Sequence, residues 1–221
     1  VVKGNFFYKN REFVVLDTAG IRRKSKVEED VEYYSVNRAI KTIDEADVVL
    51  LVVDAVEGLA DQDKKIANLI VRRGKGVIIV LNKTDLLKGI GNEIQAIEDR
   101  VRFLFPILNF APIQDISALK GENIDKLLDL VIKVKGQLEK RIDTAVLNTA
   151  LKAWGESYQP PRGAEGHYKV YYGTQVSAEP VRFLLFVNRK KDFPQAYVQY
   201  LKNSIRKDLG FNLIPIEIDL R

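Results

Sequence analysis

The chain has 221 residues, of which 46% are hydrophobic and 29% charged, and its formal net charge is +5. It contains no cysteine and one histidine, which excludes disulfide scaffolds, cysteine nucleophiles and metal sites built from several histidines. The longest apolar run, residues 48–53, is far shorter than the roughly 20 residues that a membrane-spanning helix needs. Since no secretory leader precedes the first strand either, we expect a cytoplasmic protein without membrane partners.

Apolar runs alternate with amphipathic segments in the first 140 residues. The runs are continuous, which is typical of parallel strands covered on both faces, and they span residues 12–17, 48–54, 77–82 and 112–117. The amphipathic segments predict helices over residues 33–45, 62–73, 92–104 and 123–138. This order predicts an α/β fold over residues 1–140, with a doubly wound and mostly parallel sheet.

The pattern changes after residue 140. Residues 141–221 predict a small α+β domain with helices over residues 146–154 and 194–209 and strands over residues 168–176, 183–188 and 213–220. We expect Trp154, Tyr171 and Tyr172 in its core. This part carries 12 basic and 8 acidic side chains, so we expect any polyanion to bind here.

The tetrapeptide Asn82-Lys83-Thr84-Asp85 directly follows the third predicted strand. Guanine presents an N1–H and a 2-amino group on one edge. The Asp85 carboxylate can accept hydrogen bonds from both groups, and adenine has no such pair of donors. Asn82 would tie neighbouring loops together, and the Lys83 stem would lie over the purine ring. Taken alone, the tetrapeptide is explained equally well as an ordinary polar turn.

Two more polar clusters end predicted strands. In Asp17-Thr18-Ala19-Gly20, an aspartate can hold a magnesium-bound water and a glycine lets its N–H approach a terminal phosphate. In Ser117-Ala118-Leu119, small residues allow backbone N–H groups to contact a base carbonyl. Either cluster alone is also a common strand-to-turn corner. The order of all three clusters matches the phosphate and base loops of GTPases.

The stretch DTAGIRRKSKVEEDVEYYSVNRAIKTIDEADVVLLVVDA, followed by NKTDLL, resembles the second G domain of the Der (EngA) family of bacterial GTPases. The later segments YYGTQV and FVN resemble strands of that family's KH-like domain. The resemblance implies a GTPase that takes GTP or GDP with Mg²⁺ and acts in late assembly of the large ribosomal subunit. It also implies an upstream G domain in the same full-length chain as a partner, and no DNA partner.

The resemblance carries site roles onto residues of this chain. The switch II roles toward phosphate and magnesium fall on Asp17, Thr18, Ala19, Gly20 and Ile21, with Asp17 holding the metal through water. Guanine binding falls on Asn82, Lys83, Thr84, Asp85, Ser117, Ala118 and Leu119. No catalytic residue is assigned, because Ile21 stands where many GTPases have a water-orienting glutamine.

The sequence contains no G-x-x-x-x-G-K-[ST] phosphate loop and no methionine. We therefore expect that the chain is a fragment, that the phosphate loop and the switch I threonine precede Val1, and that the fragment alone is poorly active.

Two groups of cations are candidates for RNA contact. Arg22, Arg23 and Lys24 follow the predicted switch, and five further candidates lie in the C-terminal domain: Lys169, Arg182, Arg189, Lys190 and Lys191. Ordinary solvated surface is the alternative for both groups.

Two functions remain open from the sequence. One is a GTP-hydrolysing switch whose KH-like domain docks on ribosomal RNA or protein. The other is a non-hydrolysing module that binds guanine nucleotide and RNA.

Overall fold

A computed structural model describes residues 2–17, 40–58, 61–87, 91–163 and 166–221. The chain divides into two compact units, Val1–Lys133 and Val134–Arg221. Among the described helices, none is long and apolar enough to cross a membrane.

The first unit contains a hairpin, a parallel sheet and helices. The strands are β1 (Val2–Tyr8), β2 (Arg11–Asp17), β3 (Val48–Asp54), β4 (Gly76–Asn82) and β5 (Ile113–Asp115). The helices are α1 (described over residues 40–45), α2 (Asp61–Arg72), α3 (Gly91–Leu104) and α4 (Ile124–Leu138), the last of which includes the division between the units. Short 3₁₀ turns lie at Thr84–Leu86 and Pro106–Leu108.

The parallel sheet has the strand order β3-β4-β5, and β4 lies at its centre. Six consecutive residues of β4, from Gly76 to Leu81, are buried. A strand that is bonded on both edges and covered on both faces has to be apolar along its whole length, which explains the continuous run VIIVL. The core around it includes Val53, Ile70, Val101 and Phe105. The predicted parallel α/β sheet is confirmed for β3, β4 and β5.

The prediction that residues 12–17 form a buried parallel strand is wrong. Strand β2 pairs antiparallel with β1 in a separate two-stranded sheet. Val14 and Val15 are 56% and 49% exposed. The hairpin turns at Lys9 and Asn10, both with positive φ, which brings β1 alongside β2. A continuous apolar run alone does not reveal which strand lies next to it, so the sequence could not distinguish this pairing from a parallel one.

The second unit packs helices on a three-stranded sheet. Its elements are α5 (Thr144–Ser157), β6 (Arg162–Gly163), β7 (Gly166–His167), β8 (Val170–Ser177), β9 (Arg182–Val187), α6 (Gln195–Leu209) and β10 (Glu217–Leu220). The sheet order is β10-β9-β8, in which β9 is parallel to β10 and antiparallel to β8. Helix α6 ends at Gly210, whose φ of 70° is the left-handed conformation that glycine adopts readily.

The core of the second unit includes Trp154, as expected, and its indole Nε1 donates a hydrogen bond to Asp208 Oδ2 at 2.7 Å. The placement of Tyr171 and Tyr172 in the core is wrong, since they are 66% and 44% exposed. The buried residues of β8 are Gly173 and Gln175 instead.

The buried face of β8 is explained by its partners. The Gln175 amide accepts a hydrogen bond from Ile142 N at 2.8 Å and donates one to Lys140 O at 2.9 Å, so this polar side chain is satisfied inside the protein. Gly173 lies where any side chain would collide with Leu185 and Leu151. The large apolar side chains of β8 therefore lie outside the core, while a glycine and a glutamine take the buried positions.

Candidate functional site

The loops that follow β3, β4 and β5 meet at one edge of the parallel sheet. Asp54 lies beside Asn82 in the register of β3 and β4, and Leu81 lies beside Asp115 in that of β4 and β5. Backbone hydrogen bonds continue past the strands: Ala55 N donates to the Asn82 carbonyl at 2.8 Å, and Ile116 N donates to the Leu81 carbonyl at 2.8 Å. The carboxyl ends of parallel strands are where open α/β sheets bind ligands.

Asn82 joins two of these loops through one side-chain oxygen. Its Oδ1 accepts hydrogen bonds from Lys83 N at 2.8 Å and from Ala118 N at 3.0 Å. Ala118 follows β5, so the amide fixes the loop after β5 relative to the end of β4. An asparagine at this position thus sets the distance between the loops.

Ser117 and Asp85 meet across the same two loops. Ser117 is fully buried, and its Oγ donates a hydrogen bond to Asp85 Oδ1 at 2.7 Å. The same Oγ accepts a hydrogen bond from Lys120 N at 3.2 Å. A hydroxyl that is bonded on both sides has a defined direction, so one oxygen of the Asp85 carboxylate is fixed in the free protein.

Thr84 adds a third link between the loops. Its Oγ1 donates to the Ile116 carbonyl at 2.9 Å, and its backbone N donates to the same oxygen at 3.3 Å. The preceding residue, Lys83, has φ 67° and ψ 33° and so turns the chain sharply out of β4. This turn presents Asp85 within reach of Ser117.

The loop after Ser117 is a tight turn. Ser117 and Glu122 exchange backbone hydrogen bonds of 3.2 and 3.0 Å across it, and Gly121 has a positive φ of 71°. Leu119 at its tip is 88% exposed, and Ala118 is exposed beside it. Side chains therefore leave the Ala118 region open for a ligand.

Asp54 is a site residue that our sequence reasoning missed. Its Oδ2 lies 2.6 Å from Lys83 Nζ, and its Oδ1 accepts hydrogen bonds from Val56 N at 2.9 Å and Glu57 N at 3.2 Å. The Lys83 ammonium, helped by the two backbone N–H groups, lowers the pKa of the Asp54 carboxyl below its usual value. The available signal was its position as the last residue of a continuous apolar strand, like Asn82.

Asp17 is exposed at the end of β2, opposite Val2 in the hairpin. Thr18, Ala19, Gly20, Ile21, Arg22, Arg23 and Lys24 lie outside the described residues. Magnesium in nucleotide sites keeps several waters and takes one or two carboxylates together with phosphate oxygens. A single accessible carboxylate fits one water-mediated contact of that kind. The described residues contain no group of three acidic or histidine side chains that could hold a metal.

The predicted RNA-contact cations of the second unit fall into two places. Lys169 lies beside Asn188, because Lys169 N donates to Asn188 Oδ1 at 2.9 Å, and the next residue Arg189 lies 5.0 Å from the Tyr168 ring. Lys190 and Lys191 follow and are exposed. The four cations Lys169, Arg189, Lys190 and Lys191 are named the basic corner.

Arg182 lies apart from the basic corner. It opens strand β9, whereas Arg189 follows the end of that strand, so about 20 Å separates them at ~3.3 Å per residue. Arg182 Nη2 pairs with Glu217 Oε2 at 2.7 Å, and its Nε lies 3.6 Å from Asp219 Oδ2. Its charge is therefore balanced locally, which makes it a weaker candidate for phosphate contact than the exposed lysines.

We call the loops at residues 82–87 and 116–122 the linked loops. The fold and the linked loops define a class, the G domain of P-loop GTPases joined to a KH-like domain. Residues 3–136 match the family model of the elongation factor Tu GTP binding domain, and residues 141–221 match that of the KH-domain-like C-terminal part of EngA bacterial GTPase enzymes. The chain belongs to the Der (EngA) family of GTPases.

Relatives named GTPase Der match the chain along its length. Those of Borreliella afzelii and Treponema pallidum are 47% and 46% identical to it, and the match covers 100% of this chain and 50% and 48% of theirs. The chain thus spans about half the length of these curated relatives.

A solved structure of Era in complex with MgGDPNP and nucleotides 1506–1542 of 16S ribosomal RNA is similar in fold. Its TM-score is 0.53 at 24% identity, and the match covers 99% of this chain and 78% of that one. A variant of Era from Aquifex aeolicus bound to GDP and AlF₄⁻ gives a TM-score of 0.51 at 24% identity, over 99% and 79% of the two chains.

Proposed function

We propose that residues 1–140 are the G domain of a GTP-binding and GTP-hydrolysing switch and that residues 141–221 are its KH-like RNA-contacting domain. The switch acts in ribosome biogenesis, in late assembly of the large ribosomal subunit in the cytoplasm, together with an upstream G domain of the same natural chain. The observation that carries the nucleotide part is the hydrogen bond from Ser117 Oγ to Asp85 Oδ1.

The linked loops fit guanine through its hydrogen-bonding edge. Asp85 accepts from the guanine N1–H and 2-amino group, while Ser117 holds the carboxylate in the orientation that this pairing needs. The exposed backbone around Ala118 faces the base carbonyl, and the Lys83 stem lies against the ring. Adenine would leave the Asp85 carboxylate without its two donors, and a site built for hydrogen bonds rejects such a ligand strongly.

Asp17, with the segment Thr18–Ile21, serves the phosphate end. Bound Mg²⁺ would neutralise the charge of the phosphate oxygens there. Asp17 would hold one of the metal's waters, and the Gly20 N–H would donate to the terminal phosphate. Ile21 has no group that can orient water, so the attacking water has to be held by other groups.

The ribosomal part of the proposal rests on family membership and on charge. The Era structure of similar fold holds a segment of 16S ribosomal RNA, and the KH-like match covers the part of this chain with the larger excess of basic residues. The basic corner supplies several exposed cations for phosphate contacts, which dominate RNA affinity.

The nucleotide proposal is tested by Asp85→Asn, with GDP binding measured by calorimetry on the protein expressed from its natural gene. We expect a loss of about 2–4 kcal/mol, since the variant removes a charged acceptor from two donors. Xanthosine diphosphate should bind the variant better than the parent, because xanthine has a carbonyl where guanine has its 2-amino group. Asp99→Asn, an exposed aspartate on α3, is the matched control and should leave both affinities unchanged. Equal GDP affinity in Asp85→Asn and the parent would overturn the proposal.

The alternative is a non-hydrolysing module in which the nucleotide is structural. A natural gene without a phosphate-loop lysine and a switch I threonine before Val1 would favour it. Steady release of phosphate from GTP by the protein expressed from its natural gene would exclude it.

A further inference from the structure

The two carboxylate oxygens of Asp54 have different partners. Its Oδ1 accepts hydrogen bonds from Val56 N and Glu57 N and so closes the turn after β3. Its Oδ2 lies 2.6 Å from the Lys83 ammonium. The Asp54 side chain is only 11% exposed, so the turn fixes the direction of the carboxylate whether or not lysine is present.

The Lys83 side chain gains order from this partner. The ammonium carries no fixed geometry of its own, and its flexible four-carbon stem takes many rotamers in solution. In this structure the stem reaches from the end of β4 to the end of β3, a gap of about 4.8 Å between neighbouring strands. The Lys83 backbone is held as well, because its N donates to Asn82 Oδ1.

We propose that Asp54 is a positioning residue that holds the Lys83 stem along the sheet edge, as a preformed surface for the guanine ring. This inference rests on the proposed function, because it assumes that a guanine ring binds beside Asp85. The physical gain is preorganisation: a side chain that is already ordered loses less entropy when the ligand binds. The ion pair with Lys83 also connects the end of β3 to the site, whose other residues follow β4 and β5.

Asp54→Asn separates the two roles of the side chain. The asparagine oxygen can still accept from Val56 N and Glu57 N, whereas the charge that attracts Lys83 is lost. We expect GDP affinity to fall about tenfold, the order of one charge-assisted hydrogen bond. Lys83→Ala should lower GDP affinity at least as much. The double variant should be no weaker than Lys83→Ala, since Asp54 acts through the lysine.

The matched control is Asp44→Asn, which removes the same charge from an exposed aspartate paired with Arg73 at 3.3 Å, before the start of β3. It should leave GDP affinity unchanged. Urea midpoints of all variants without nucleotide separate a loss of stability from a loss of positioning. All affinities are measured by calorimetry with GDP on the protein expressed from its natural gene.

A measurement on the unmodified protein keeps the inference testable if Asp54→Asn does not fold. The Lys83 ammonium should give a slowly exchanging ¹⁵N NMR signal that persists when GDP is added. Loss of that signal on GDP binding would overturn the inference. A double variant that binds GDP more weakly than Lys83→Ala would overturn it as well.

The two proposals fail in different ways. GDP binding that is weakened by Asp85→Asn and Lys83→Ala but unaffected by Asp54→Asn would overturn the positioning role alone. GDP binding that none of these substitutions changes would overturn the proposed function and the positioning role with it.

Discussion

Ser117 is fully buried between the loops that follow β4 and β5. Its hydroxyl has no accessible surface and is bonded both to Asp85 Oδ1 and to Lys120 N. Alanine at this position would leave the Lys120 N–H without that acceptor and the Asp85 carboxylate without its donor. Both effects follow from one missing oxygen atom.

We predict that Ser117→Ala lowers the free energy of unfolding by about 1–3 kcal/mol, the range for a buried polar group that loses its partner. It should weaken GDP binding as well, because the carboxylate of Asp85 becomes free to rotate. Urea denaturation and calorimetry measure the two effects. Ser157→Ala, an exposed serine at the end of α5, should change neither. Full GDP affinity in Ser117→Ala would show that the serine does not orient Asp85.

At the scale of elements, β8 lies against α5 without room for a side chain at its centre. A Cβ on Gly173 would come within 2.6 Å of Leu185 Cδ2 and 2.7 Å of Leu151 Cδ1. The Gly173 backbone is also fixed, because its N donates to Asn148 Oδ1 at 2.9 Å and its carbonyl accepts from Asn148 Nδ2 at 2.8 Å. The glycine therefore lets the helix approach the strand closely.

We predict that Gly173→Ala destabilises the protein by about 1–3 kcal/mol, because an overpacked core forces strained side chains and backbone shifts. Gly136→Ala is the matched control, since Gly136 lies within α4 and a Cβ there meets nothing within 4 Å. That control should stabilise by about 0.5–1 kcal/mol through helix propensity. Thermal unfolding of both variants gives the comparison, and equal stability of Gly173→Ala and the parent would contradict the packing argument.

At the scale of the whole molecule, these 221 residues contain candidate loops for the base but no phosphate-loop motif. The loops that follow β4 and β5 are bonded to each other, whereas the sequence contains no G-x-x-x-x-G-K-[ST] phosphate loop. A phosphate loop supplies backbone N–H donors, a lysine and a hydroxyl for the metal.

We therefore predict that residues 1–221 alone bind GTP weakly and hydrolyse it at a negligible rate. GDP should retain measurable affinity through the base loops. The comparison is phosphate release by this span and by the protein expressed from its natural gene, under the same conditions. Equal rates would show that the missing loop is not needed.

The charge distribution predicts where RNA binds. Changing Arg189, Lys190 and Lys191 to glutamate should lower the affinity for ribosomal RNA and flatten its dependence on salt, because fewer counterions are then released. The control reverses three exposed lysines of the first unit, Lys41, Lys65 and Lys126, and changes the net charge equally. If the reversal of Arg189, Lys190 and Lys191 has no effect while Arg22→Glu and Arg23→Glu abolish binding, the RNA-binding surface lies at Arg22–Lys24 and not in the second unit.

The sequence by itself determined the order of parts: continuous apolar runs gave β3, β4 and β5, and their polar ends marked Asn82, Asp85 and Ser117 as neighbours. For β4 this worked because a strand covered on both faces is apolar throughout, and the polar ends coincide because parallel strands end at one edge. Only the tertiary structure decided that β2 pairs with β1, that the buried face of β8 carries Gly173 and Gln175, and that Asp54 meets Lys83. The polarity of one strand does not specify the strand that pairs with it, and close helix–strand contacts and ion pairs join residues far apart in the chain.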